Sequence, residues 1–415
     1  MILHFFYIKV FYILKHPPWH FPKRYAMISE NTMEVRFMNA YQTGCYRNLF
    51  LELGHSAEEI EAKVQSAFDT MFFGSDDERI YHEVGDDMGY VTDTGNNDVR
   101  TEGMSYAMMM CVQLNRKDIF DRLWKWVMTY MYLDDSFPNH GYFGWSNRLD
   151  GTRNSTGPAP DGEEYFAMAL FFASHRFGDG EGIFCYSHCA KDILHAMIHN
   201  PEPMFHPDNH LIKFIPDADF TDPSYHLPHF YELFALWAYK EDRPFFRMAA
   251  KASRNYLHKA CHPITGMSPE YSRYDGSIIQ DMPGPRFWSE HWHYYSDAYR
   301  TIANISLDWE WFGKDSWEPE CAAKLQKFFA EQTDGDSSHY RIYRIDGTPE
   351  EEPALHPIAI VATNAEASLA SDGAYAEQFA EKFFNTPLRT GKRRYYDNCL
   401  YLFALLALSG NYRIW

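Results

Sequence analysis

Hydrophobic residues recur at helical spacing along most of this chain. Residues 56–59 fit a capping box, and the apolar positions 60, 64, 68 and 71 that follow lie on one helical face. Residues 119–131 repeat this spacing. Further segments of the same kind are 187–199, 226–240, 245–259, 300–312, 319–331 and 373–384. The pattern predicts a chain built mainly from amphipathic helices.

Three other segments, 104–114, 165–173 and 399–408, are apolar on nearly every side, and polar residues precede each of them. A helix of this kind must be buried all round. Amphipathic helices alternate with these segments, which indicates two concentric rings whose inner helices gather their polar ends at one mouth. We therefore predict an all-α fold, an (α/α)6 barrel of eleven or twelve helices. The few strand-like pieces, expected as short strands on the loops, are 80–84, 211–215 and 340–345.

The first residues differ from the rest of the chain. Residues 1–14 are apolar but interrupted by Lys9, and they are shorter than the ~20 residues that span a bilayer. No charged stretch precedes them and no small-residue cleavage site follows, which disfavours a secretory signal. Residues 15–27 are basic and proline-rich, typical of extended chain. We expect 1–37 to be an N-terminal extension, 38–415 to be a single catalytic domain, and the protein not to span a membrane.

The composition limits which binding partners and which cellular compartment fit this protein. The 38 basic and 57 acidic residues give a net charge of −19, which repels the phosphates of nucleic acid. Phe, Tyr and Trp make up 17% of the chain, more than a core needs, and such rings stack on sugars. The seven cysteines are odd in number and mostly lie in apolar runs, which favours free thiols in a reducing compartment. We expect a cytoplasmic protein.

Three acidic residues lie in unusual surroundings. Glu102 and Asp161 each come just before a predicted buried helix, and Asp297 lies among aromatic residues. Burial raises the pKa of a carboxyl group, as a general acid requires, whereas a helix N-terminus lowers it. For Glu102 the sequence leaves open which effect prevails. Each residue taken alone is better explained as an N-cap or as part of a buried ion pair than as a catalytic group.

The segments around these acids resemble those of the family 8 glycoside hydrolases. Residues 101–107, TEGMSYA, resemble the segment that carries the family's general acid, and 295–300, YSDAYR, resemble the segment of its general base. Residues 159–163 resemble the signature around the second acid, although Pro160 replaces a usual Ser or Thr and Glu163 a usual Asp. The resemblance runs from about residue 40 to the carboxyl end. It is strongest to members that release xylose from the reducing end of xylo-oligosaccharides, through the long stretches 80–106, 222–234 and 389–415.

This resemblance implies an inverting glycosidase on an (α/α)6 barrel, acting on short xylo-oligosaccharides. Glu102 would protonate the leaving oxygen, Asp297 would activate a water on the opposite face of the sugar, and Asp161 would hold the distorted sugar in the −1 subsite. Inversion needs roughly 6.5–9.5 Å between the two carboxyl groups to admit that water. The chemistry requires no metal and no organic cofactor.

Four further residues are candidates for substrate contacts. Trp145 would stack on a pyranose ring, Tyr225 would help to hold the catalytic water, and Arg300 would position Asp297 or a sugar hydroxyl. Residues 355–357 resemble the loop that closes the cleft beyond the +1 subsite, where His356 would bind the reducing-end hydroxyl. Trp145 fits a packing role equally well, and a His-Pro pair is also an ordinary turn.

Other functions remain open from sequence alone. An endo-acting enzyme of the same family, on xylan, β-1,3-1,4-glucan, cellulose or chitosan, would have an open cleft at His356. A sugar epimerase on the same barrel would use two histidines as acid and base. A non-catalytic sugar-binding protein is disfavoured because all three acids are present. Cys185, His188 and Cys189 have no second Cys pair to complete a metal site. His195 and His199 have helical spacing but lack the Glu of a zinc protease helix, so the sequence predicts no metal site.

Overall fold

The computed structural model of the chain describes residues 26–29, 32–37, 39–280, 291–371 and 373–415. The chain divides into two compact units, residues 1–38 and 39–415. In the first unit, strands β1 (Ala26–Ser29) and β2 (Thr32–Phe37) form an antiparallel hairpin that pairs Ala26 with Phe37. The sequence analysis did not predict this hairpin.

Helices dominate the second unit. Two single-turn helices, α1 (Ala40–Thr43) and α2 (Leu49–Glu52), come first. In the described residues they are followed by twelve helices of at least nine residues: α3 (Ala57–Phe73), α4 (Thr101–Gln113), α5 (Lys117–Tyr130), α6 (Pro160–Phe177), α7 (Tyr186–His199), α8 (Pro228–Trp237), α9 (Arg243–Ala260), α10 (Ala298–Trp311), α11 (Trp317–Thr333), α12 (Pro357–Glu366), α13 (Ala376–Phe384) and α14 (Arg394–Leu408).

Buried and amphipathic helices alternate strictly along this series. The even-numbered helices α4 to α14 are buried over most of their residues, whereas the odd-numbered helices α3 to α13 bury one face. Each buried helix contacts the next buried one, and α14 contacts α4, so the inner ring closes. The structure confirms the predicted (α/α)6 barrel, in which six inner helices are covered by six outer ones.

Local sequence explains where several helices begin. The Ser56 side chain caps α3, and the Glu59 carboxylate accepts a hydrogen bond from the backbone N–H of Ser56, so the predicted capping box is present. Proline occupies the first turn of α6, α8, α9 and α12, where its missing N–H costs no intrahelical hydrogen bond. Helix α12 was not predicted, because Thr363 and Asn364 interrupt its apolar residues and leave no clear helical period.

The strands are short and lie between helices. Strands β3 (Tyr81–Val84) and β4 (Met88–Val91) form one hairpin, β5 (Val99–Arg100) pairs with β6 (Ser146–Asn147), and β7 (His293–Tyr294), β8 (Arg341–Arg344) and β9 (Pro349–Pro353) form a three-stranded sheet. The predictions at 80–84 and 340–345 are confirmed. The prediction at 211–215 is wrong, because this segment makes only the isolated bridge of Ile212 with Phe205. Of the described helices, none is long and apolar enough to cross a membrane.

Candidate active site

One arginine brings the three predicted carboxylates together. Arg300 lies in the first turn of α10 and is 5% exposed. Its Nη1 donates hydrogen bonds to Glu102 Oε2 (2.9 Å), Asp161 Oδ2 (3.0 Å) and the Tyr106 hydroxyl (2.8 Å). Its Nη2 lies 3.4 Å from Asp297 Oδ1. Side chains nearly 200 residues apart in sequence therefore share one guanidinium group.

Glycine follows two of these carboxylates and permits the close packing around them. A Cβ atom added at Gly162 would lie 2.5 Å from the Cβ of Thr101, the first residue of α4. A Cβ atom added at Gly103 would lie 2.6 Å from the Tyr395 hydroxyl oxygen. Both distances are shorter than carbon atoms tolerate, so any larger residue would push α4 away from α6 or from Tyr395. The two glycines thus allow the N-termini of the inner helices to converge.

Glu102 has the surroundings of a proton donor. Its side chain is 16% exposed, and Oε1 accepts a hydrogen bond from the Tyr395 hydroxyl at 2.7 Å. Burial raises the pKa of Glu102 to about 7, and the nearby charges of Asp161 and Asp297 act in the same direction. Arg300 and Tyr395 oppose this rise by stabilising the anion. Burial is therefore the largest influence on the pKa of this carboxyl group.

The other two carboxylates differ in their access to water. Asp161 is 8% exposed, its Oδ1 accepts from the backbone N–H of Gly162, and burial raises its pKa. Asp297 is 26% exposed, the most of the three, and lies at the N-terminal boundary of α10. A proton donor and a water-accessible carboxylate on different nitrogens of one guanidinium form a suitable pair for general acid and base catalysis.

A strained turn holds Asp297 in place. Ser296 has a φ of +40°, in the left-handed region that disfavours residues other than glycine. The Tyr396 hydroxyl donates a hydrogen bond to the Ser296 carbonyl oxygen at 2.9 Å. The Tyr396 ring also packs edge-on against the His356 ring, with 4.9 Å between centroids. Tyr396 therefore connects the predicted general base to the predicted subsite histidine.

His356 is buried at the start of α12 and is fixed by Asp397. Its Nδ1 lies 2.9 Å from Asp397 Oδ2. Because an ionised carboxylate only accepts hydrogen bonds, Nδ1 carries a proton and donates it to Asp397, which fixes the orientation of the ring. Arg389 donates from Nη1 both to Asp397 (2.6 Å) and to the carbonyl oxygen of Leu355 (2.7 Å). These contacts hold residues 355 and 356 rigidly.

Of the two predicted aromatic contacts, Tyr225 lies beside Arg300, and Trp145 lies at the start of α4. The buried ring of Tyr225 lies 5.5 Å from the Arg300 guanidinium. Trp145 is 37% exposed, and its carbonyl oxygen accepts from the backbone N–H of Thr101 at 3.0 Å. The Arg100 guanidinium lies 5.3 Å from the Trp145 ring. One indole is therefore presented to solvent at the start of the helix that carries Glu102.

The sequence analysis missed Asp222 and Tyr395. Asp222 is fully buried, with Oδ2 lying 3.7 Å from Arg300 Nη2, and burial raises its pKa well above the usual range. Its Oδ1 accepts from the Ser224 N–H at 2.7 Å and caps the turn that carries Tyr225. An Asp-Pro pair that opens a turn was the available signal for Asp222. For Tyr395, the signal was its place in the polar segment that precedes the apolar residues 399–408.

Comparisons with known proteins show which sequences this chain resembles. The family model for glycosyl hydrolases family 8 matches residues 82–410. The reducing end xylose-releasing exo-oligoxylanase of Halalkalibacterium halodurans is 57% identical over 91% of this chain and 96% of its own length. The protein of the same name from Bifidobacterium adolescentis is 50% identical over 88% of this chain and 96% of its own.

A solved structure shares the whole fold. Rex8A from Paenibacillus barcinonensis, complexed with xylose, superposes with a TM-score of 0.87 at 55% identity, covering 91% of this chain and 99% of its own. The extent of the family match, the high identity to curated exo-oligoxylanases and the common architecture all agree. The chain therefore belongs to family 8 of the glycosyl hydrolases and is a glycosidase.

Proposed function

We propose that this enzyme releases xylose from the reducing end of short β-1,4-xylo-oligosaccharides with inversion at the anomeric carbon. The observation that carries the proposal is the meeting of Glu102, Asp161 and Asp297 at Arg300. The names of three curated relatives, all at least 50% identical, support the substrate and the exo mode.

The proposed reaction is a single displacement. The Glu102 carboxyl group gives its proton to the glycosidic oxygen as the bond to the anomeric carbon breaks. Asp297 takes a proton from a water molecule, whose oxygen forms the new bond on the opposite face of the sugar. A pKa of about 7 keeps a large share of Glu102 protonated at neutral pH, as the first step needs. No metal or organic cofactor takes part.

The remaining residues bind and orient. Asp161, held by Arg300 and the Gly162 N–H, accepts hydroxyl hydrogen bonds from the distorted sugar in the −1 subsite. Tyr225 helps to hold the attacking water, and Arg300 fixes the orientation of Asp297. Trp145 stacks on a xylose ring at the exposed edge of the site.

His356 gives the enzyme its exo mode in this proposal. Its Nδ1 is held by Asp397, and its Nε2 forms a hydrogen bond with the reducing-end hydroxyl of the sugar in the +1 subsite. The rigid loop at 355–356 then blocks any further sugar, so only one xylose is released at each turnover. An alditol end has no ring hydroxyl at this position and loses the contact.

Two variants test the acid and the base. Glu102→Gln and Asp297→Asn should each lower kcat on xylotriose by at least about 100-fold, the usual share of a general acid or base. Glu366→Gln is the matched control, because Glu366 is a buried acid on inner helix α12 that makes no ion pair with Arg300 among the described residues. Near-normal turnover by either catalytic variant, with the melting temperature unchanged, would remove its assigned role.

The exo mode is tested by product analysis. Xylotriose and its borohydride-reduced alditol are incubated with the native enzyme and with His356→Ala, and the products are followed by liquid chromatography. The native enzyme should convert xylotriose to xylobiose and xylose and should leave the alditol intact. His356→Ala should reduce this discrimination. Equal cleavage of both substrates by the native enzyme would instead indicate an endo-acting hydrolase.

We also propose that the enzyme works in the cytoplasm on imported oligosaccharides. All seven cysteines are free, and four of them are buried, as is usual in a reducing compartment. Short oligosaccharides can be imported, so their hydrolase needs no export. Cell fractionation of the source organism should find xylotriose-cleaving activity in the cytoplasmic fraction. Finding most of it in the culture medium would contradict this proposal.

A further inference from the structure

Two histidines and an aspartate lie together on the outer ring, apart from the residues of the proposed glycosidase site. His195 and His199 are one turn apart on α7, and Asp242 immediately precedes α9. His195 Nδ1 lies 2.9 Å from Asp242 Oδ2, and His199 Nε2 lies 2.7 Å from Asp242 Oδ1. Each carboxylate oxygen therefore faces a different imidazole nitrogen.

The exposure of these groups is uneven. The side chains of His195 and His199 are 46% and 51% exposed, whereas the Asp242 side chain is 1% exposed. Within the described part of the chain, both ion-pair contacts of Asp242 are with these two imidazoles. A carboxylate withdrawn from water requires a compensating cation or strong donors. A divalent ion between the three side chains would compensate the charge while remaining accessible from solvent.

The donor set matches a particular class of metal ion. The ligand atoms of the three residues all lie within 4.8 Å of one another. Metal bonds of about 2.0–2.2 Å in a tetrahedral site place neighbouring ligand atoms roughly 3.3–3.6 Å apart, which requires only small side-chain movements here. Two imidazoles and one carboxylate favour zinc, copper or nickel over magnesium and calcium. Three protein ligands also leave a fourth, tetrahedral position for water.

We propose that His195, His199 and Asp242 bind one divalent transition-metal ion of the zinc class. The ion would tie outer helix α7 to the connection between α8 and α9, and so would stabilise the packing of neighbouring helix pairs. The sequence analysis found no third ligand, because Asp242 lies 43 residues beyond His199 and only the fold brings it near. The proposal is independent of the glycosidase mechanism.

The same helix offers a matched control. His188 lies nearer the N-terminus of α7, contacts the Tyr239 hydroxyl through Nδ1 at 3.0 Å and lies 3.4 Å from Asp192. It is exposed, like His195 and His199, but it is not part of the triad formed by His195, His199 and Asp242. Cys185 and Cys189 are close to it in sequence, and as thiols they are competing ligands for zinc.

The test titrates chelator-treated full-length protein with zinc chloride by isothermal calorimetry and follows the melting temperature. The native protein should bind one zinc ion per chain, and its melting temperature should rise with zinc concentration. His195→Ala and His199→Ala should each weaken zinc binding by at least about tenfold and abolish this rise. His188→Ala should bind as the native protein does. All three substitutions are at exposed positions, so folding should be retained.

Cobalt substitution identifies the ligands directly. Bound Co²⁺ should give visible bands without the thiolate charge-transfer absorption that cysteine ligands produce, and Asp242→Asn should weaken or change these bands. Absence of zinc binding to the native protein would overturn the proposal. Unchanged binding in both triad variants, or a thiolate band that disappears in Cys189→Ser, would overturn it as well.

Discussion

The hydrogen bond from Tyr395 to Glu102 should influence the pH at which the proposed general acid, Glu102, loses its proton. Tyr395→Phe removes the hydroxyl that donates to Glu102 Oε1 at 2.7 Å and keeps the ring. This donor stabilises the charged form of Glu102 and lowers its pKa. Without it, the pKa must rise above the native value of about 7. The acid then stays protonated to higher pH, so the basic limb of the pH–rate profile should move upward.

The size of the shift follows from the strength of the bond. A hydrogen bond to a charged group contributes about 1.5–3 kcal/mol, and one pKa unit corresponds to about 1.4 kcal/mol. Complete loss would therefore raise the pKa of Glu102 by about one to two units. Because the hydrogen bond from Arg300 to Oε2 remains, we expect the lower value, about one pH unit.

The assay is the pH dependence of kcat/KM on xylotriose, whose basic limb reports the acid in the free enzyme. Tyr401→Phe is the matched control, because Tyr401 is buried on the same helix but donates to the Thr386 carbonyl oxygen. Its profile should match that of the native enzyme. An unmoved or downward-shifted basic limb in Tyr395→Phe would refute the assignment of Glu102 as the titrating acid.

Three further variants test the supports of the site. Arg300→Lys should lower kcat at least about 100-fold while leaving a folded protein, since one ammonium group cannot contact all the carboxylates; a tenfold loss or less would contradict this. Gly162→Ala should lower the free energy of unfolding by about 1–3 kcal/mol in urea, because the new Cβ meets Thr101, and unchanged stability would contradict the packing argument. Tyr396→Phe should lower kcat more than it raises KM, because Ser296 loses its hydrogen bond; a change confined to KM would contradict this.

The fold could be predicted from the sequence because the barrel consists of two kinds of helix, fully apolar and amphipathic, that differ in their sequence pattern. Segments apolar on all sides, such as 399–408, can only lie inside, and the structure buries all of them. Helix α12 was not predicted because it is buried by the packing of neighbouring helices, while its own sequence shows no helical period of apolar residues. The prediction of a strand at 211–215 was wrong because apolar residues also occur in loops. Here the loop pairs with its neighbour through a single isolated bridge.

The individual residues of the candidate site could be predicted from the sequence, but the contacts between them could not. Glu102, Asp161 and Asp297 stood out by their neighbours in sequence and by family resemblance. Nothing in the sequence indicated that one guanidinium would contact them all, because that contact depends on the closure of the ring. Asp222 escaped for the same reason, since its role depends on lying 3.7 Å from Arg300.

The most direct test of the proposed mechanism is time-resolved proton NMR of the enzyme with xylotriose, following the anomeric signals from the first minutes. Hydrolysis of the β-linkage with Asp297 as base and Glu102 as acid predicts that the newly formed reducing end appears first as the α-anomer and equilibrates later. Initial appearance of the β-anomer would mean retention, and the account of Asp297 as a base acting on water would then be wrong.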